Sequence, residues 1–367
     1  MEVEVRAFGD QNVTDGNPVV RGFELDKSGF GCPKALESVF GASRRCVDFA
    51  AAGGEADLVH THTWYTQLGG LMAKYNYGMP LVTTVHSLEP LRPWKREQLG
   101  GGYDWSCWVE RQAMEQADAV IAVSRETRHD VMEAYDVKPE RVHIIYNGID
   151  PEEYRPVAET DALERYGVDP ARPYILFVGR ITRQKGIVHL VHAISRMDEG
   201  FQVVLCAGAP DTEEIAREME QAVGEAKKER GDIVWIAEKV DQRTKVQFYS
   251  HAALFVCPSI YEPFGIINLE AMACETPVVG AAVGGIKEVV EHGVTGLHVP
   301  LRQMDASPFD PLHPERFSHD LAMAVNELMR DRNRRERMGR AGRERAVETF
   351  SWRAIAEQTR DLYASLV

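Results

Sequence analysis

The chain has 367 residues, too many for one ordinary core and comfortable for two. A formal net charge of −14 repels phosphate backbones and anionic lipid, which argues against nucleic acid or a membrane as partner. Six cysteines at 32, 46, 107, 206, 257 and 274 form no CxxC pair, so they read as reduced thiols of a cytoplasmic protein.

No apolar run is long enough to span a bilayer, and the opening Met-Glu-Val-Glu-Val lacks the basic and apolar regions of a signal peptide. Short apolar runs alternate with longer helical patterns, which predicts parallel sheets with crossover helices. Expected strands of the first half are 3–8, 57–62, 81–86, 119–124 and 142–146, with helices at 34–51 and 104–116 among them. In the second half, strands are expected at 174–178, 202–207, 233–236, 254–257, 277–280 and 296–299. Helices are expected there at 187–195, 212–229, 243–250 and 266–274. Residues 147–156 carry turn residues and two prolines with no apolar period, and read as the interdomain connection. The expected organisation is therefore a first α/β domain over 1–150, a second over 157–349 and a closing segment, 350–367, ending in an amphipathic helix. The charged run 331–337 reads as a solvated helix face. Ligands of open α/β sheets bind at the carboxyl ends of the strands, and each candidate residue below follows a strand.

In the first half, two strand ends carry polar and aromatic residues. His60 and His62 are spaced to share one face of a strand, followed by Trp64, but no third ligand stands at metal spacing. His86 ends a strand, and the loop after it holds Glu89, Arg92, Trp94 and Lys95. Tryptophan faces stack on sugar rings, and an imidazole donates to or accepts from hydroxyls. His62, Trp64, Arg92, Trp94 and Lys95 are accordingly the acceptor candidates. Arg92 and Lys95 suit a phosphorylated acceptor and Trp94 a glucan.

In the second half, Gly179 and Arg180 close a buried strand, and Arg183 and Lys185 follow just before a helix. Fixed cations beside a helix N-terminus suit a diphosphate, although the basic loop by itself could equally be plain surface. Residues 258–274 are more specific. Glu262 lies in the loop after a strand, Gly265 and Ile266 open a helix with free N–H groups, and Glu270 lies five residues further. That places Glu270 roughly 7–8 Å along the axis, about the reach from a diphosphate to its ribose, whose hydroxyls a carboxylate can accept. Catalysis can then rest on Arg180, Lys185 and helix dipoles at the departing phosphate, with Glu262 toward the sugar. The chain contains no Asp-x-Asp, so no metal cofactor is expected.

Gly179-Arg180 with Lys185-Gly186, and Glu262 with Glu270 inside Tyr-Glu-Pro-Phe-Gly-Ile-Ile-Asn-Leu-Glu, resemble the donor signature of the family 4 retaining glycosyltransferases. The segment His86-Ser-Leu-Glu-Pro-Leu-Arg-Pro-Trp-Lys resembles, more narrowly, the actinobacterial glycogen synthases, some of which are α-maltose-1-phosphate synthases. The resemblance implies a GT-B fold, two facing Rossmann-like doubly wound domains with an interdomain cleft and a C-terminal helix crossing back to the first domain. It also implies transfer of glucose from ADP-glucose, with retention, into an α-1,4 bond with a glucan or glucose 1-phosphate. Arg180 and Lys185 would hold the diphosphate, Glu270 the ribose, Glu262 the donor sugar or its phosphate, and His86 the glucose near its 6-hydroxyl. Spacing alone does not separate an ADP from a UDP donor. Other acceptors within the family, and a catalytically impaired glucan-binding relative, are the competing readings. Family members begin with a strand and a glycine-rich loop that precede the first strand here. The expectation is that the first sheet lacks an internal strand, leaving backbone groups unpaired and activity weakened until the chain is extended upstream.

Overall fold

The computed structural model describes residues 1–25, 29–52 and 54–367. The chain divides into two compact units, one of Met1–Ile145 with Arg360–Val367 and one of Tyr146–Thr359.

The first unit holds a parallel sheet of β3 (Val59–His62), β4 (Leu81–Val85), β5 (Ala119–Ala122) and β6 (Val142–Ile144), paired in that order. Two earlier strands, β1 (Glu4–Phe8) and β2 (Val19–Phe23), form a separate parallel pair. Their Phe8 and Phe23 rings pack on Phe49, at 5.2 and 4.9 Å between centroids. Among the described strands β3 pairs on one side only, with β4. Helix Lys34–Ala51 buries Val39, Ala42, Cys46 and Phe49, a spacing of three to four residues, and turns Arg44, Arg45 and Asp48 away from that stripe. Helix Trp64–Tyr77 lies against it at Gly69, where an added Cβ would meet Cys46 O at 3.1 Å, and against β3 at Gly70, where one would meet Thr61 Cγ2 at 2.5 Å. Leu71, Leu81, Val85, Leu88, Met114, Val120 and Val131 form the core beneath the sheet.

The second unit is a six-stranded parallel sheet of β7 (Tyr174–Arg180), β8 (Gln202–Gly208), β9 (Ile233–Ile236), β10 (Leu254–Cys257), β11 (Val278–Ala281) and β12 (Gly296–Val299). Its order, β12-β11-β10-β7-β8-β9, reverses direction between β10 and β7, the crevice where open α/β sheets receive ligands. The middle strands are apolar on both faces because helices cover both. Thr212 caps helix Glu213–Glu229 by accepting from the Ile215 N–H, with two glutamates in its first turn and two lysines in its last. The 331–337 run is solvent-facing, with Arg332 and Arg334 in exposed pairs with Glu336 and Glu327.

Candidate functional site

In the second unit, the turns after β7 and β10 are bolted together. Thr182 accepts from the Lys185 N–H, Ile260 N–H donates to Gln184 O at 2.8 Å, and Gly186 (φ +61°) approaches Pro258 so closely that a Cβ there would lie 2.1 Å from its carbonyl oxygen. This closeness brings Lys185 Nζ to 2.6 Å from Glu262 Oε2, which also accepts from Ser259 Oγ at 3.1 Å. Burial pulls the Lys185 ammonium down, but the Glu262 charge outweighs it and holds the group above its ordinary value, so Lys185 is cationic. The Glu262 carbonyl accepts from the Gly285 N–H at 2.9 Å, and Gly284 (φ +48°) leaves no room for a side chain against it. Gly265 (φ +92°) then opens helix Ile266–Ala273 with Ile266 exposed; the Asn268 N–H donates to Gly265 O at 2.9 Å, and the Gly265 and Ile266 amides ahead of it have no intrahelical acceptor.

Two donor candidates already carry partners. Glu270, expected to accept from ribose hydroxyls, is 8% exposed and already bonded. Tyr154 and Tyr249 each donate to one of its oxygens at 2.7 Å, because a carboxylate facing the core must be satisfied there. Each oxygen keeps acceptor capacity for one further bond. Burial, with the Glu270 charge second, raises both phenols, so both remain donors. Arg180, expected with Lys185 to hold the diphosphate, pairs through Nη2 with Asp211, on the turn after β8. Its side chain is otherwise 64% exposed.

In the first unit, β3 places His60 and His62 on one face, with His62 opposite Thr84 of β4. His62 Nδ1 lies 3.0 Å from His86 Nε2, with the rings within 19° of parallel. His60, whose ring centroid is 4.4 Å from that of His62, bonds Thr84 Oγ1 at 2.7 Å and the Tyr363 hydroxyl. Burial first and His62 second push His86 down to about 4, while crowding by protein atoms lowers His62, so both are neutral near pH 7. Among the described residues no group of three His, Cys, Asp or Glu side chains could hold a metal ion.

The loop after His86 is anchored inward, which corrects two acceptor assignments. Lys95 is 8% exposed and its Nζ lies 2.7 Å from Glu89 Oε1, so its charge is used inside the unit. Trp64 is 4% exposed at the start of its helix, so neither ring face is open to a sugar. Arg92 donates from Nη1 to Ser87 Oγ at 2.7 Å and lies 3.6 Å from Glu89, but its buried Nε has no partner. Trp94 is half-buried.

Sequence reasoning passed over the supports of this loop. Ser106 and Lys95 bond the Glu89 carboxylate, and the Tyr103 hydroxyl bonds its carbonyl. Glu110 accepts from the Glu89 N–H at 2.8 Å and Tyr135 OH at 2.6 Å. It also passed over Tyr363, Asp211, Tyr154 and Tyr249. Ser259, likewise passed over, sat inside the singled-out segment 258–274, and Tyr154 inside 147–156.

Residues 1–153 match the family model "Glycosyltransferase Family 4" and residues 159–307 match "Glycosyl transferases group 1". The chain is 51% identical to α-maltose-1-phosphate synthase of Mycolicibacterium smegmatis, over 84% of this chain and 79% of that protein. The chain belongs to the family 4 glycosyltransferases. The corresponding synthase of Mycobacterium tuberculosis is 50% identical over 86% of this chain and 80% of its own. D-inositol 3-phosphate glycosyltransferase of Xylanimonas cellulosilytica is 32% identical over 85% of this chain and 72% of its own. Among solved structures, sucrose-phosphate synthase of Thermosynechococcus elongatus superposes with a TM-score of 0.79 at 28% identity, covering 99% of this chain and 88% of that one. The fold of this glycosyltransferase is thus GT-B, an α/β architecture of two Rossmann-like parallel-sheet domains. No described helix is long and apolar enough to cross a membrane.

Proposed function

We propose that this glycosyltransferase moves glucose from ADP-glucose to glucose 1-phosphate, forming α-1,4-linked maltose 1-phosphate with retention. The 51% identity to the M. smegmatis synthase across 84% of the chain carries this reading. The geometry after β7 and β10 supports the donor half: cationic Lys185, the Arg180 fork and the open amides of Gly265 and Ile266 suit a departing diphosphate. We assign Glu262, beside Lys185, to the donor sugar or its phosphate, and Glu270, through its remaining lone pairs, to the ribose. His86, neutral, hydrogen-bonds a glucose hydroxyl near C6. On the acceptor side, Arg92 keeps an unbonded buried Nε and takes the phosphate-binding role that Lys95 gives up to Glu89.

In the reaction, the bond between glucose C1 and the ADP oxygen breaks and a bond from C1 to the acceptor 4-oxygen forms on the same face. The acceptor proton passes to the departing phosphate oxygen. Fixed protein cations stabilise that oxygen, so the reaction needs no metal, and we place it in the cytoplasm.

The test incubates the protein with ADP-glucose or UDP-glucose and with glucose 1-phosphate or glycogen, each separately, following nucleotide release and product anomer by NMR. Rapid ADP release with glucose 1-phosphate, an α-anomeric product and indifference to EDTA are expected. Release only with glycogen reassigns the acceptor to a glucan, and release with neither removes the proposal.

A further inference from the structure

The histidine array on β3 and β4 has more structure than a single sugar-contacting imidazole requires. His62 and His86 share one hydrogen bond, Nδ1 to Nε2 at 3.0 Å, with rings inclined by only 19°. Near-parallel rings joined at nitrogen place the lone pair of one along the N–H of the other, the orientation in which such a bond is strong. A neutral imidazole owns one donor and one acceptor. A single nitrogen-to-nitrogen bond therefore couples the two tautomers: either His62 Nδ1–H donates and His86 keeps its proton on Nδ1, or His86 Nε2–H donates and leaves its Nδ1 an acceptor. Among the described residues neither His86 Nδ1 nor His62 Nε2 has another protein partner, so the bond between the two rings is the protein's hold on their coupled state.

His62 is in turn backed by His60, 4.4 Å away between centroids. His60 is held at both nitrogens, by Thr84 Oγ1 at 2.7 Å and by the Tyr363 hydroxyl. A ring clamped at both ends is a firm wall for its neighbour.

We infer that His62 is a positioning residue: it holds the His86 ring in one orientation and one tautomer, so that Nδ1 of His86 meets the sugar in a defined hydrogen-bonding state. The inference rests on the reading of His86 as a sugar contact and replaces the expected role of His62 as an acceptor contact. Burial supports it, because depressed basicity keeps the pair neutral near pH 7, when one shared proton can order it.

The test uses the whole chain labelled with ¹⁵N-histidine, and two variants. His62→Phe keeps a ring and removes the bond. His62→Asn restores a polar atom near the Nδ1 position. In the wild type, His86 should show one tautomer by NMR. His62→Phe should show a mixture, with kcat down about 10- to 100-fold, the scale set by misplacing a reacting partner by about 1 Å, and little change in the KM of either substrate. His62→Asn should recover the single tautomer and most of kcat. A single His86 tautomer in His62→Phe overturns the inference. So does a variant whose only defect is a raised KM for the acceptor, which would make His62 a direct contact. If the wild type turns over neither acceptor, the proposed function falls, while the NMR arm still decides what His62 does to His86.

Discussion

Substituting Gly186 by alanine tests whether the union of the two donor turns makes the donor site. The new Cβ would lie 2.1 Å from Pro258 O, a contact at which backbone must move. Alanine must also hold φ near +61°, costing about 1–2 kcal/mol. Separating the turns then strains the 2.8 Å bond from Ile260 N–H to Gln184 O, worth about 1 kcal/mol. The expected loss is about 2–4 kcal/mol, or about 5–15 °C in the melting of a unit this size. Because Lys185 adjoins Gly186, the ammonium moves with the turn, and ADP affinity should fall about 10- to 100-fold, as small misplacements of binding groups do. Differential scanning calorimetry and titration calorimetry with ADP measure the two effects. An unchanged melting temperature would show that the turns yield without strain. Lost stability with unchanged ADP affinity would show that the nucleotide binds elsewhere.

Glu262→Gln leaves the largely buried Lys185 ammonium without its counter-charge and should cost about 3 kcal/mol by denaturant titration, with a lower kcat. An unaltered midpoint would mean that the pair contributes nothing net. Tyr249→Phe strips one donor from the buried Glu270 carboxylate and should cost about 1.5–3 kcal/mol, readable as a shifted urea midpoint at unchanged m. Burial pushes Glu110 up to about 8, with Tyr135 pulling it back. An acid whose folded value exceeds its unfolded one stabilises the fold below its unfolded value and loses that contribution as pH rises through the folded one. Wild-type stability should thus decline relative to Glu110→Gln between about pH 4.5 and about pH 8, and parallel stability curves would refute the assignment.

The legible parts of the fold were those with a local cause. Helix Lys34–Ala51 announces itself by the stripe through Val39, Ala42, Cys46 and Phe49, and β9, β10 and β12 by short apolar runs between turn residues. Helix Trp64–Tyr77 was hidden because Gly69 and Gly70 lower helix propensity. Their role, admitting Thr61 and the Lys34–Ala51 helix, is visible only after packing. Strand β2 was hidden because Val-Val-Arg-Gly-Phe has no alternation and a central glycine. At the site, Lys185 and Glu262 were recognisable from their turns. That Lys95 belongs to Glu89, or that Tyr154 and Tyr249 claim Glu270, depends on pairings that no local pattern encodes.

The bond between His60 and Tyr363 joins residues 303 positions apart. During synthesis β3 emerges well before the residue that clamps it, so His60 waits for a partner supplied by a distant part of the chain. Contacts of such sequence separation form late, after much of the chain has been ordered. The wall behind His62 therefore depends on assembly of the whole first unit and not on any local segment.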